Sequence, residues 1–106
     1  MPGLFEERER GYEAKWAHDE ETHFRVLARR NNLVGHWAAG ELGLLEAKAD
    51  EYAMAVVHTG LIGKSSDPVF EKIQRDFDAK ALSYSERTIH RKMEEFFHVA
   101  SDEVAR

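Results

Sequence analysis

The chain has 106 residues, 42% hydrophobic and 33% charged, with a formal net charge of −5 and no cysteine. That length supports one domain with one modest core, and the balance of apolar to charged residues specifies a folded chain that water tolerates well. Without cysteine there is no disulfide framework, thiolate metal site or cysteine nucleophile, and the acidic surface repels nucleic acid, its main basic counterweight being the cluster Arg25, Arg29 and Arg30.

No apolar run nears the ~20 residues of a membrane span, and the acidic N-terminal stretch has no signal-peptide core. The expected location is therefore cytoplasmic, with no direct membrane insertion. Two prolines and apolar residues at helical spacing predict an all-α protein of four helices without a sheet.

The first stretch, FEERERGYEAKWAHDEE at residues 5–21, has charges at helical spacing but only three large apolar side chains, Phe5, Tyr12 and Trp16. On a helical wheel these three fall within about 40° of one another, in line with Leu27 and Val34 further on. Arg8 and Glu9 interrupt that stripe, and Gly11 costs about 1 kcal/mol relative to alanine. A Glu6–Arg10 pair returns only a few tenths. Alone, the segment is expected to be frayed, and a partner with a groove for three aromatics would draw it into a helix continuous with the next one. The competing reading is a tail folded back on the bundle. The expected division is a mobile segment over 1–17 and a four-helix bundle over 18–106.

Phe24, Leu27, Val34, Ala38 and Leu45 form the stripe of a long first helix ending near Gly43. A second helix over 45–57 carries Ala49, Tyr52, Ala53 and Val56, small enough in part for close helix approach. HTGLIGKSS at 58–66 reads as a flexible turn. Asp67-Pro68 then starts a third helix, the acid capping and the proline in its first turn, with Val69, Phe70, Ile73 and Phe77 facing the core. Ser83 and Glu86 have capping-box spacing before a fourth helix bearing Ile89, Met93, Phe96, Phe97 and Ala100. Short connections favour antiparallel neighbours, hence a small four-helix bundle with a first helix much longer than the rest.

Several constellations invite chemistry. GLIGKSS ends as a phosphate-binding loop does, but the glycine required five positions before Gly63 is His58, and no strand precedes it. Two Glu-x-x-His pairs, Glu20 with His23 and Glu95 with His98, resemble di-iron ligands. By wheel position, however, Glu95 and His98 point away from the stripe of Ile89 and Met93, and Glu51 and Glu71 also lie on polar faces. No metal or cofactor is expected, although His90, Glu94 and His98 at i, i+4 and i+8 suit weak adventitious metal binding. No Ser-His-acid set is assignable, and the expected protein is not an enzyme. Trp37, between Val34 and Ala38, reads as core. Arg25 follows Glu21 by four residues, a favourable helix pair, whereas Arg29 and Arg30 have no such partner on their own helix. Solvation accounts for them, with an acidic partner surface or a phosphate as the functional alternative.

FEERERGYEAKWAHDEE, followed by FRVLARRNNLVGHWAAGELGL and YAMAVV, resembles the zeta subunit family, small inhibitor proteins of bacterial F-type ATP synthases. The motifs are Arg8-Glu9, Glu13-x-Lys15, Ala17-His18-Asp19-Glu20-Glu21 and Ala28-Arg29-Arg30-Asn31, occurring together in the family's order. The resemblance implies a four-helix bundle whose mobile N-terminal segment becomes helical in a catalytic interface of the enzyme's head and blocks ATP hydrolysis. It also implies that the head's catalytic subunits are the partners, and that the protein sits at the inner membrane only through the synthase. Phe5, Arg8, Glu9, Arg10, Tyr12, Glu13, Lys15 and Trp16 would form the contact surface, Trp16 standing where the family usually has phenylalanine. The rival from another class is a small bundle that weakly binds or senses adenine nucleotide, with Arg29, Arg30 and Lys64 as phosphate partners.

Overall fold

The computed structural model describes residues 19–105, and these form four helices: α1 (Glu20–Glu41), α2 (Glu46–Ile62), α3 (Pro68–Ala79) and α4 (Glu86–Ala105). No strand occurs among the described residues. Each helix runs antiparallel to the next. Gly35 of α1 meets Ala53 of α2, Tyr52 of α2 bonds Asp76 of α3, and Phe70 of α3 stacks on His90 of α4. Arg29 near the start of α1 reaches Glu103 near the end of α4, which closes the bundle. α1 packs most extensively on α2 and α4 and only slightly on α3, its diagonal neighbour.

The core is filled by Val34 and Ala38 of α1, Val56 of α2, Val69, Ile73 and Phe77 of α3, and Ile89 and Met93 of α4. These are the i, i+3, i+4 and i+7 positions that face inward on amphipathic helices. Trp37 packs edge-on against Phe77 at 5.6 Å and Tyr84 at 6.0 Å between ring centres, as its place in the stripe predicts. Burial, and then a hydrogen bond to Asp76, push the Tyr52 hydroxyl's pKa far above its ordinary range. Tyr52 therefore donates in a closed set with Asp76 and Lys72, whose ammonium is 3.0 Å from the same carboxylate.

Two helix ends are closed by the same device. At the end of α1, Leu44 N–H bonds Ala39 C=O and Gly43 N–H bonds Gly40 C=O, with Gly43 at φ +79°. At the end of α3, Leu82 N–H bonds Phe77 C=O and Ala81 N–H bonds Asp78 C=O, and Ala81 takes the left-handed position at φ 58°. Both are Schellman turns, which satisfy carbonyls the helix itself leaves open.

The structure departs from the sequence reading at several points. α2 continues five residues past Val57 to Ile62, so the first part of HTGLIGKSS is helix rather than turn. Gly60 is accommodated there because it lies against the Asn31 side chain of α1. Leu45 is 77% exposed at the start of α2, because the turn at Gly43 ends the phase of the first stripe. Phe24 is also exposed. The cap of α4 is Ser85, whose hydroxyl accepts from Thr88 N–H at 3.1 Å, so the Ser83–Glu86 box is displaced by two residues. Asp67 does precede Pro68 at the start of α3, but its carboxylate makes no cap bond and turns to His90 instead. α1, at 22 residues, exceeds α4 by only two.

The closest backbone approach is at Gly35, where an added Cβ would lie 2.8 Å from Ala53 Cα. Gly35→Ala is expected to destabilise the fold by about 1–3 kcal/mol despite alanine's better helix propensity, because the obstacle is backbone. Gly40, in the same helix, has nothing within 4 Å of an added Cβ. Gly40→Ala should stabilise by up to about 1 kcal/mol. Thermal melts of the two variants should therefore shift in opposite directions, and a shared direction would contradict the close approach.

Candidate functional site

The eight residues singled out as a contact surface, Phe5, Arg8, Glu9, Arg10, Tyr12, Glu13, Lys15 and Trp16, lie outside the described residues. What the structure describes is the point at which that segment joins the bundle. Asp19 has the non-helical dihedrals φ −115° and ψ 87° of a cap residue. Its carboxylate accepts from Thr22 N–H at 3.0 Å and from Thr22 Oγ1 at 2.6 Å. Glu20 and Glu21 occupy the first turn, where negative charge is favoured by the helix dipole. The first helix thus starts at a well-made terminus, with Phe24 exposed one turn further on.

Arg29, Arg30 and Lys64 do not converge. Arg29 holds Glu103 across the α1–α4 contact in a two-pronged pair, Nε at 2.6 Å and Nη2 at 3.4 Å. That hydrogen bond raises the pKa of the guanidinium, against a smaller opposing effect of desolvation. The expectation that Arg29 is merely solvated is corrected accordingly: it joins the first helix to the last. Arg30, next along the helix, points into the groove between α1 and α2. Burial lowers its pKa, and the charge of Asp67 partly offsets this. Its Nε donates to Asn31 Oδ1 at 3.0 Å. Lys64 is exposed on the loop between α2 and α3.

Arg30 and Asn31 line a cleft of about 230 Å³, with Phe24 and Leu27 on one side and Leu61 and Asp67 on the other. Ligand pockets commonly fall in the range of about 300–1,000 Å³. The cleft is small by that measure, and of the three cations only Arg30 lines it.

The remaining ionisable groups also disperse. Glu20, His23, Glu51, Glu71, Glu95 and His98 are all exposed, the last four on the polar faces the wheel assigned them. Among the described residues no group of three or more histidine and acidic side chains is arranged to hold a metal. His90 leaves the row it shares with Glu94 and His98: it stacks on Phe70 with ring centres 4.0 Å apart and bonds Asp67 at 3.0 Å.

Sequence reasoning missed Asn31, which is buried, and the pairings of Glu103 and Asp67. Asn31 did carry a signal, since it stands four residues after Leu27 and three before Val34, on the core-facing side. The two pairings cross from one helix to another and leave no local trace.

A family model described as ATPase inhibitor subunit zeta matches residues 2–103. The chain belongs to this family. The match runs through the capped start of α1 and covers all four helices of this zeta-family chain almost completely. No curated protein and no solved structure matches it. Among the described residues no helix is long and apolar enough to cross a membrane.

Two substitutions separate the residues that shape this end of the zeta-family bundle from those that do not. Asp19→Ala removes the cap and should cost about 1 kcal/mol, lowering the melting temperature by roughly 4–8 °C, with Asp19→Asn retaining most of the stability. Lys64→Ala should stay within about 0.5 kcal/mol of the parent. Equal melts for Asp19→Ala and the parent chain would show that the cap contributes nothing to α1.

Proposed function

We propose that the chain is a non-catalytic regulatory inhibitor of the F-type ATP synthase. Residues 1–17 enter a catalytic interface of the soluble head as a helix and obstruct the rotation that accompanies hydrolysis, while the bundle of residues 18–106 remains outside as the anchor. Its place is cytoplasmic, at the inner membrane only through the synthase. The observation that carries this reading is the family match from residue 2 to 103, which takes in the aromatic-bearing segment together with the helices.

Helix geometry supports it. Leu27 and Val34 lie on the inward side of α1, half-buried and buried respectively. If the helix ran back from Glu20, Phe5, Tyr12 and Trp16 would prolong that apolar side past the start of α1. At about 1.5 Å per residue Phe5 would stand roughly 22 Å beyond it. Three aromatics strung along that length would be covered by a groove on a second protein. Of the charged neighbours, Glu13 and Lys15 would flank that stripe and meet the rim of the groove, Arg8 and Glu9 would interrupt it, and Arg10 would lie on the far side. The alternative, an adenine-nucleotide-binding module, draws on Arg30 at the cleft and lacks the convergence with Arg29 and Lys64 that it calls for.

The test is ATP hydrolysis by the isolated synthase head of the same organism, titrated with each variant. Tyr12→Ala combined with Trp16→Ala should abolish inhibition with the melting temperature unchanged, each lost anchor weakening binding by about 2 kcal/mol, a factor of about thirty. Gly11→Pro should also inhibit poorly, since it breaks the helix the interface must receive. Full inhibition by the double variant, or by a chain without residues 1–17, would remove the segment from the role assigned to it. Saturable ATP binding by the bundle with no effect on hydrolysis would favour the nucleotide reading instead.

A further inference from the structure

The exposed side of α2 carries an apolar stripe, with Ala47 and Met54 facing outward and Leu61 at the rim of the cleft beside α1. Ala47, Met54 and Leu61 recur every seven residues, the spacing of a coiled-coil seam. All three are exposed, Met54 by 62% and Leu61 by 53%. The opposite face of the same helix is already occupied, with Ala53 and Val56 buried against the bundle. α2 is therefore apolar on both sides, whereas a helix serving only its own core keeps a polar outer face.

Two polar positions flank the stripe. Glu51 and His58 are exposed and separated by the same seven residues. Among the described residues Glu51 pairs with Lys48, at 3.7 Å, the two side chains 70% and 78% exposed. A contact so open to water contributes little. Asp50, nearer α1, lies 3.8 Å from His36.

We propose that this face docks a second copy of the chain, as an antiparallel, two-fold pair of α2 helices. The stripe is complementary to itself in that direction. With Met54 on the two-fold axis, Ala47 opposes Leu61 of the second copy, small against large, and the symmetry repeats the contact. The same register sets Glu51 beside His58 of the second copy, again twice, at the flanking positions where antiparallel coiled coils place their charges. A parallel pair would instead set Glu51 beside Asp50 of the second copy, acid against acid, and Leu61 on Leu61. Charge and size thus choose both the occupant and its direction. One helix pair buries less than the ~1,200 Å² of a standard interface, so the association is reversible and dependent on concentration. The surface is separate from residues 1–17, and its failure would leave the inhibitory reading intact.

Sedimentation equilibrium of the full chain, from about 10 µM to about 1 mM, tests it over the range expected of a weak interface. The average mass should rise from monomer toward dimer. Met54→Glu should hold the chain monomeric throughout with an unchanged melting temperature, since the side chain is exposed in the monomer. His58→Glu should weaken the dimer about tenfold by setting like charges together, and Glu51→Lys in the same chain should restore most of the loss. A parent chain that remains monomeric over the whole range would overturn the proposal, as would a Met54→Glu variant that associates normally or a charge exchange that recovers nothing. A monomeric parent whose inhibition of the ATPase is weakened by Met54→Glu would assign the face to the enzyme and overturn it equally.

Discussion

The fold depends on how closely α1 and α2 approach at Gly35. A Cβ there would stand 2.8 Å from Ala53 Cα and 3.1 Å from Val56 Cβ, so the two helices meet nearly backbone to backbone. That contact fixes their register, and other contacts along the pair follow from it. Asn31, one turn toward the start of α1, comes against Gly60, and His36 comes within reach of Asp50. With α2 held tightly on one side, α1 can offer another side to α4, where Arg29 meets Glu103. A larger residue at Gly35 would push the helices apart by a distance that none of these short contacts tolerates.

Much of this was legible in the sequence because it is periodic. The buried residues of α3 are Val69, Ile73 and Phe77, and those of α4 include Ile89, Met93 and Ala100, all of which the 3.6-residue repeat places on one face. The small residues of α2 signalled close approach correctly. What escaped was set by phase or by tertiary contact. Leu45 fits the first stripe only if the helix continues through Gly43, and the left-handed residue there resets the wheel. Gly60 looks like a helix breaker until its neighbour is known to be Asn31. Asp67 looks like a cap until His90 arrives from a helix 23 residues away.

The candidate site was legible in a different way. Composition and spacing give a segment with one aromatic stripe and too little else to hold it, a pattern that suits a partner's groove or a tail folded on the bundle, and its contact residues lie outside the described residues. Arg29 illustrates the limit of carrying function by residue type: a basic pair on an apparently polar face reads as solvated, with an anion as the alternative, yet one member is committed to Glu103 and the other turns into a small cleft with Asn31. A helical wheel locates a side chain by angle, and what lies at that angle is decided by the rest of the fold.

Asp19 bears on how the proposed inhibitor would engage its partner. A cap residue and a helix interior residue have incompatible backbones: ψ at Asp19 is 87°, and an unbroken helix from the N-terminal segment into α1 needs a value near about −42°. Continuity therefore requires the cap to be given up. The loss is about 1 kcal/mol, and it is offset in part because Thr22 N–H, released from the carboxylate, then finds the carbonyl of residue 18 in the helical ladder. Two aromatic anchors at about 2 kcal/mol each would outweigh the lost cap, with the ordering of the segment as a further cost for the groove to meet. Under the proposed function Asp19 would be the junction at which the chain either starts a helix or continues one. Its position also leaves the bundle intact in both cases, because the packing at Gly35 lies more than four turns further along α1 and does not depend on how the helix begins.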